Sequence, residues 1–387
     1  MTRRWRRPAP LLAAAALAAV TLAAGCGSRH TQAGSAVTFP PPPTLALSAS
    51  ASGTTWASLE LGGSAADFNN FWQLFARRPG AATWQLVTPP GMASNGGFAL
   101  AGPVGRSFLA AFRPSQNITY SPLVSSADNG AHWSTGQVAA GLAGVPDALA
   151  TGPASSSLLA LTAHGVELSR DGGSGWASLA TPASLAATAA GRKCRPARFT
   201  ATSFSPGGTP LAAAACTRPG ATGIFAYSGD GWKAAGPTLP AALAGQPVTV
   251  LRLSTAGSHE VALLAVGSKR AATVVAGWTG RSGRWVLTPV LRTHGQRVLS
   301  ASLGPDGSVG LVLSGSQGEI VTGPGASWRP LATLPADTQA LALGPGTSIE
   351  ALAGHQTKMT VWARGQGPAG WVRKQVVNVP IPYGSSG

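Results

Sequence analysis

Acidic side chains are scarce in this sequence. There are 12 Asp and Glu among 387 residues, against 28 Lys and Arg, and charged residues make up only 10%. That supply is thin for paired-carboxylate acid–base chemistry or for an oxygen-ligand metal site, each of which gathers several carboxylates in one place. Tyr, Met and Cys number three each. So few thiols exclude a disulfide-dense scaffold and a cysteine-rich zinc site. Long helices are excluded by the opposite condition, an excess of breakers: 51 Gly and 31 Pro, about one residue in five, are spread along the chain. Apolar runs able to span a bilayer are missing too. The longest, Leu11 to Ala24, has fourteen residues where a spanning helix needs ~20. What is present is apolar: 44% hydrophobic residues, 12 Trp and a mean hydropathy of +0.16, which exclude a wholly disordered chain. The expectation is an all-β chain of short strands joined by Gly and Pro turns.

The first residues carry an address. Arg3, Arg4, Arg6 and Arg7 precede the apolar run, which ends in Leu22-Ala23-Ala24-Gly25-Cys26-Gly27. Small residues before a lone Cys resemble the lipobox of bacterial lipoproteins, with Ala23 in the slot usually held by Leu. The resemblance implies a signal peptide over 1–25, a diacylglycerol thioether on Cys26, and a membrane anchor on the extracytoplasmic side, where two acyl chains hold stably and one does not. Residues 26–43 then form a tether, polar at Ser28 to Gln32 and stiffened by Pro40 to Pro43. Residues 44–380 are the folded part, and 381–387 a flexible tail.

With Cys26 set aside, Cys194 and Cys216 remain. In an oxidising compartment they read as one disulfide, the alternative being two separate buried thiols. Between them lies a hairpin pattern: Phe199 to Phe204, the turn Ser205-Pro206-Gly207-Gly208, then Leu211 to Ala215. Its two Cys return to the same end. The formal charge of +16 falls to about +12 without the four Arg of the signal, and only five of the basic residues are Lys. A basic exported surface is either simply solvated or drawn to anionic lipid headgroups and wall polymers. No basic stripe with interleaved aromatics points to nucleic acid.

A repeat organises the rest. Trp84, Trp133, Trp176, Trp232, Trp285, Trp328 and Trp371 are separated by 49, 43, 56, 53, 43 and 43 residues. That is the period of a four-stranded propeller blade. A second marker keeps the same phase, an apolar stretch running into a Gly/Pro turn: Leu100-Ala101-Gly102-Pro103, Leu149 to Pro153, Phe204 to Gly208, Leu303 to Gly307 and Leu343 to Gly346. Each Pro of this marker stands 23 to 30 residues before its Trp. The blades fall at about Leu45–Val87, Phe98–Val138, Leu149–Leu179, Phe199–Ala235, Val248–Val290, Val298–Leu331 and Ala340–Val377. Seven is the expected count, six the alternative if the first blade is irregular.

Two segments are more specific. Ser126-Ala127-Asp128-Asn129-Gly130-Ala131-His132-Trp133 and Ser169-Arg170-Asp171-Gly172-Gly173-Ser174-Gly175-Trp176 both fit S-x-D-x-G-x-x-W. This is similar to the Asp-box of sialidase-type propellers, and Ser228-Gly229-Asp230-Gly231-Trp232 is a shortened copy. The resemblance implies a turn between a blade's third and fourth strands. In it Ser126, Asp128, Ser169 and Asp171 bond local N–H groups, Gly130 and Gly173 take positive φ, and Trp133 and Trp176 pack between blades.

The catalytic set of sialidases finds no counterpart. Phe112-Arg113-Pro114 lacks the Ile of their Arg motif and stands too near Ser126, and the Tyr residues are only Tyr120, Tyr227 and Tyr383. Asp128, Asp171 and Asp230 belong to boxes and Asp306 to a turn; Glu60, Asp67, Asp147, Glu167, Glu260, Glu319, Asp337 and Glu350 are scattered one or two per blade. His30, His132, His164, His259, His294 and His355 never reach metal-ligand spacing. No catalytic residue, cofactor or metal is therefore expected. The aromatic run Phe68 to Phe75 reads as blade packing. The longest links between blades, Leu179 to Phe199 with Arg192-Lys193-Cys194-Arg195, and Ala235 to Val248, are where a partner is sought. The expectation is a monomeric, non-catalytic binding or scaffold module of the cell envelope, anchored by lipid to the membrane, with an envelope protein or glycan as partner. The rival is a carbohydrate-active or glycan-binding propeller.

Overall fold

The computed structural model describes residues 46–49, 52–62, 70–89, 98–104, 107–112, 122–134, 137–138, 142, 146–154, 156–267, 273–280, 283–355, 358–364 and 370–378. The chain divides into two units, Met1–Gly34 and Ser35–Gly387, and every described residue belongs to the second. The signal segment, Cys26, the tether and the tail lie outside the described residues.

The described strands form seven antiparallel sheets, each a meander in chain order. Sheet 1 holds Ala46–Ala49, Thr55–Gly62, Asn70–Arg77 and Gln85–Leu86; sheet 2 holds Phe98–Val104, Ser107–Phe112, Pro122–Ser126 and Gln137–Val138. Sheet 3 holds Ala148–Thr151, Leu158–Leu161, Val166–Ser169 and Ala177–Ala180; sheet 4 holds Pro196–Phe204, Pro210–Cys216, Ile224–Ser228 and Gly231–Ala234. Sheet 5 holds Val248–Ala256, His259–Val266, Thr273–Thr279 and Trp285–Leu287. Sheet 6 holds Val298–Leu303, Val309–Leu313, Gln317–Val321 and Arg329–Pro330; sheet 7 holds Thr338–Leu343, Ile349–His355, Lys358–Arg364 and Trp371–Asn378.

Seven apolar clusters lie between these sheets, one for each consecutive pair, and the last joins sheet 7 back to sheet 1. In that closing cluster Ala57, Leu59, Phe75 and Trp84 meet Ala340, Ala342, Leu352, Met359, Val361 and Val377. From sheet 2 round to sheet 7, and from sheet 7 to sheet 1, first strands of successive sheets touch one another, so they surround the centre of the ring. The fold is a β-propeller. Both faces of each sheet are covered, which explains why inner strands such as Leu158–Leu161 and Val261–Val266 are apolar without alternation. Among the described residues every sheet is built from one contiguous segment, with no strand exchanged between the chain ends.

The Gly/Pro marker falls at the turn between first and second strands. There Gly152, Ser205, Gly304 and Gly344 donate their N–H to Ser157, Thr209, Ser308 and Ser348 carbonyls at 2.7–2.8 Å. One copy differs: at Gly102-Pro103 the strand Phe98–Val104 continues, and the register breaks between Ala101 and Val104. Pro103 has no N–H for the ladder and is tolerated at such a break. Sheet 5 also gains a short fifth strand, Leu291–Arg292, beyond its expected end at Val290.

The link expected as a loop between sheets 3 and 4 is instead two short helices, α1 (Pro182–Ala187) and α2 (Ala189–Cys194). Thr181 caps α1: its hydroxyl accepts from Ser184 N–H at 3.0 Å while Ser184 Oγ accepts from Thr181 N–H at 2.8 Å, and Pro182 occupies the first turn. Thr188 caps α2 in the same manner, accepting from Gly191 N–H at 2.9 Å.

A meander has two ends. First-to-second and third-to-fourth turns lie on one face of the ring, the box face. Second-to-third turns and the links between sheets lie on the other, the connection face. Hydrogen bonds tie the latter together: Gly220 N–H donates to Gln246 O and Gly267 N–H to Pro247 O, both at 2.9 Å.

Candidate functional site

On the box face the two segments of the S-x-D-x-G-x-x-W pattern adopt one geometry. Ser126 Oγ accepts from Gly130 N–H at 2.7 Å and donates to Asp128 Oδ1 at 2.9 Å, which accepts from His132 N–H at 2.9 Å. In sheet 3, Ser169 Oγ accepts from Gly173 N–H at 2.9 Å and donates to Asp171 Oδ1 at 2.7 Å, which accepts from Gly175 N–H at 2.9 Å. Gly173, at φ +98, stands so close to Leu123 that a Cβ would lie 3.0 Å from Cδ1. Donors aimed at a carboxylate favour its charged form. The backbone N–H of His132, helped by its ring and by Ser126, holds Asp128 well below the usual carboxylate range. The N–H of Gly175 and the Ser169 hydroxyl lower Asp171 in the same way. Both acids are bonded within their own turns, which favours their charged forms.

The shortened third copy is a correction. Ser228 pairs with Gly231 in a two-residue hairpin, its hydroxyl donating to Gly231 O at 3.4 Å, and Asp230 is exposed and makes none of the box bonds. Without the missing residues there is no N–H placed to meet its carboxylate.

Each periodic Trp sits in the cluster between its own sheet and the preceding one. Four reach back to the exit of that preceding sheet: the indoles of Trp133, Trp285, Trp328 and Trp371 donate to carbonyls of Val87, Ala235, Pro289 and Ala332 at 2.8, 2.7, 3.1 and 3.4 Å. Trp176 donates to Gly173 O of its own turn at 2.9 Å. The period of the repeat is thus a packing distance. Leu74 and Phe75, the buried end of the aromatic run, lie in the clusters flanking sheet 1.

Near the centre the notable side chain is Arg252, which sequence reasoning did not single out. Its Nε donates to Ala301 O of sheet 6 at 3.0 Å and Nη1 to Leu251 O at 2.7 Å. Withdrawal from bulk water brings its pKa down to about 10, so it stays charged at neutral pH. A break in register between Val250 and Arg252 turns it toward the next sheet. Tyr227 is used elsewhere, packed on Trp232 with ring centroids 5.3 Å apart. Among the described residues no three metal-ligating side chains gather. Glu167, Glu260, Glu319 and Glu350 are each pushed up by burial and stand one apiece on sheets 3, 5, 6 and 7.

On the connection face Cys194 and Cys216 are bonded, with Cα atoms 4.7 Å apart, where Pro196 pairs with Cys216 in the sheet 4 hairpin. Closing this loop is worth about 3 kcal/mol in the chain-entropy account. The disulfide fastens α2 to the hairpin and gathers Arg192, Lys193, Arg195, Arg198 and Arg218, all exposed. Arg192 to Arg195 were legible in the sequence; Arg198 and Arg218 join them only through the strand register. The second link, between sheets 4 and 5, buries Leu239 and Leu243 and is part of the core.

No known protein family matches the chain, and no curated protein does. Solved structures do match. A GH74 xyloglucanase from Xanthomonas campestris aligns with a TM-score of 0.55 at 14% identity over 88% of this chain and 55% of its own, so the chain spans about half of that enzyme. A putative 6-phosphogluconolactonase from Bacteroides uniformis aligns with a TM-score of 0.51 at 15% identity, covering 83% of this chain and 96% of its own. A protein from Lactobacillus plantarum gives 0.51 at 12% identity over 83% and 96%. At these identities the likeness is one of fold, the β-propeller.

Proposed function

We propose that the chain is an extracytoplasmic lipoprotein whose seven-bladed, Asp-box propeller is a non-catalytic binding or scaffold module of the cell envelope. It acts as a monomer, held to the membrane through acylated Cys26, with an envelope protein or glycan as its partner. One observation carries the non-catalytic part: the carboxylates are spent on structure. Asp128 and Asp171 are closed within their turns, and Glu350 is bound to Arg77. A glycosidase of the xyloglucanase kind needs two carboxyls about 5–10 Å apart across a cleft, whereas the buried glutamates are distributed one to a sheet. The Cys194–Cys216 bond supports an oxidising compartment.

Cell fractionation tests the anchor. The native protein is expected in the membrane fraction and Cys26→Ala in the soluble exported fraction; a variant that stays with the membrane removes the lipoprotein reading. Release of sugar from xyloglucan by the native protein would replace the scaffold reading with the glycan-active one.

A further inference from the structure

The connection face carries a cationic cluster with a fixed shape and few counter-charges. Arg192 and Lys193 end α2, Arg195 caps it in the left-handed region at φ 51, Arg198 lies early in the first strand of sheet 4, and Arg218 follows Cys216. Besides the disulfide, Arg218 N–H donates to Cys194 O and Thr217 N–H to Arg195 O, both at 3.1 Å, and Thr217 Oγ1 donates to Arg195 O at 3.0 Å. The cluster therefore meets a partner with its backbone already ordered. Its side chains are exposed, and none forms an ion pair among the described residues. Asp147 is the acid whose charge Arg198 influences.

The opposite face is mixed in sign: Asp128, Asp171, Asp230 and Asp306 lie in turns of the box face beside Arg170 and Arg284, while Asp147 and Asp337 stand on the connection face. Chain direction adds a second observation. The first strand of sheet 1 runs from the connection face toward the box face and begins at Ala46, so the chain enters the ring on the side that bears the cations.

We infer that the connection face is a membrane-docking surface, on which Arg192, Lys193, Arg195, Arg198 and Arg218 engage anionic lipid headgroups. This inference rests on the lipoprotein reading for its orientation. The anchor brings the bilayer near; the cluster of five basic residues selects which face meets it. Each basic residue near an anionic surface strengthens binding about fivefold, and salt weakens the attraction.

The test uses the full chain with Cys26→Ala, which lacks acyl chains, and sedimentation with vesicles of phosphatidylcholine alone or with phosphatidylglycerol. Replacing Arg192, Lys193 and Arg195 by Gln is expected to weaken binding to the anionic vesicles on the order of 100-fold. Arg170→Gln, Lys233→Gln and Arg284→Gln together, an equal charge loss on the box face, leave it within about twofold. Arg192→Lys with Arg195→Lys retains binding, which separates charge from folding. Equal loss in both triple variants, no loss in either, or binding that salt does not weaken would overturn the inference. Equal affinity for soluble poly(glycerol phosphate) would overturn the lipid surface in favour of a wall polymer. Lipidation is read separately, from the mass of the native N-terminal peptide. An unmodified Cys26 with intact vesicle binding sinks the anchor alone; an acylated Cys26 with an indifferent face sinks the docking alone.

Discussion

Two interfaces of the same ring solve the same packing problem differently. Between sheets 5 and 6 the contact is mainly apolar: Trp278, Leu263, Val274 and Ala276 meet Val309, Leu311 and Leu313, each at most 2% exposed, with Arg252 Nε donating across it to Ala301 O at 3.0 Å. The Trp278 indole N–H is satisfied by Gly307 O at 2.8 Å. Between sheets 7 and 1 the cluster is smaller and is flanked by a polar clamp. Arg77 is ion-paired to Glu350 and donates to Thr55 Oγ1 at 3.4 Å; Gln375 accepts from Trp84 N–H at 2.6 Å and donates to Trp84 O at 3.4 Å. Sheets 5 and 6 are consecutive and joined by a short link, so chain connectivity aligns them. Sheets 7 and 1 stand at opposite ends of the chain and exchange no strand among the described residues, and the partners of the clamp are 273 and 291 residues apart. Directional bonds supplement the apolar contact there, where no loop helps to set the register.

The apolar interface breaks most expensively. Trp278→Ala removes a fully buried indole and leaves a cavity, with an expected loss of about 3–5 kcal/mol by urea unfolding. Trp278→Phe, which strands Gly307 O, is expected to cost about 1–3 kcal/mol. At the closing interface the matching change is milder, because the buried Trp84 indole N–H has no partner to lose. Trp84→Phe as costly as Trp278→Phe would erase the contrast.

The ion pair comes next. Glu350 is 9% exposed, its Oε2 is buried without a partner, and Arg77 keeps about a quarter of its side-chain surface in water. Arg77→Ala leaves that carboxylate uncompensated, at a cost of about 2–3 kcal/mol near neutral pH, below the range for a fully buried pair because water still reaches the site. Arg77→Met with Glu350→Leu is expected to recover most of it. Burial, opposed by Arg77 and by Thr55, raises the Glu350 pKa above its ordinary 4.5. The folded state then holds this proton more tightly than the unfolded chain. Its contribution is fully present below pH ~4.5 and is lost as pH rises through the raised folded value. Stability of the native protein relative to Glu350→Gln should therefore fall with rising pH, and more steeply in Arg77→Ala. An opposite slope would mean that the pair, rather than burial, governs this carboxyl.

These two interfaces were not equally legible. The apolar one follows from periodic Trp and Gly/Pro turns, because a blade repeats its packing at a fixed chain spacing. The clamp has no local signature: nothing near Arg77 or Glu350 announces a partner most of a chain away. The helices between sheets 3 and 4 escaped for another reason. Six residues are too few to show a 3.6-residue period, and only Leu185 of α1 is buried; the sole cue was the Thr181-Pro182 start with Ser184. The box turns were readable residue by residue where all eight positions are kept, and not where Ser228–Trp232 had shortened.

The smallest expected effect asks whether Gln375 is part of the clamp or only beside it. In sheets 5 and 6 the residue four places beyond the periodic Trp, Pro289 or Ala332, offers its carbonyl to the next indole. Gln375 holds that place after Trp371, yet it is the side chain that bonds, and it bonds the Trp84 backbone as a neighbouring strand would. The amide substitutes for a link that the closing interface lacks. Gln375→Leu keeps the bulk and removes both bonds, leaving Trp84 N–H in want of a partner, so about 1 kcal/mol is expected. Energy alone does not separate this from any lost hydrogen bond. Coupling does: combined with Arg77→Ala, the two losses should depart from additivity by more than about 0.5 kcal/mol if both fix one register. Combined with Trp278→Phe, across the ring, they should simply add.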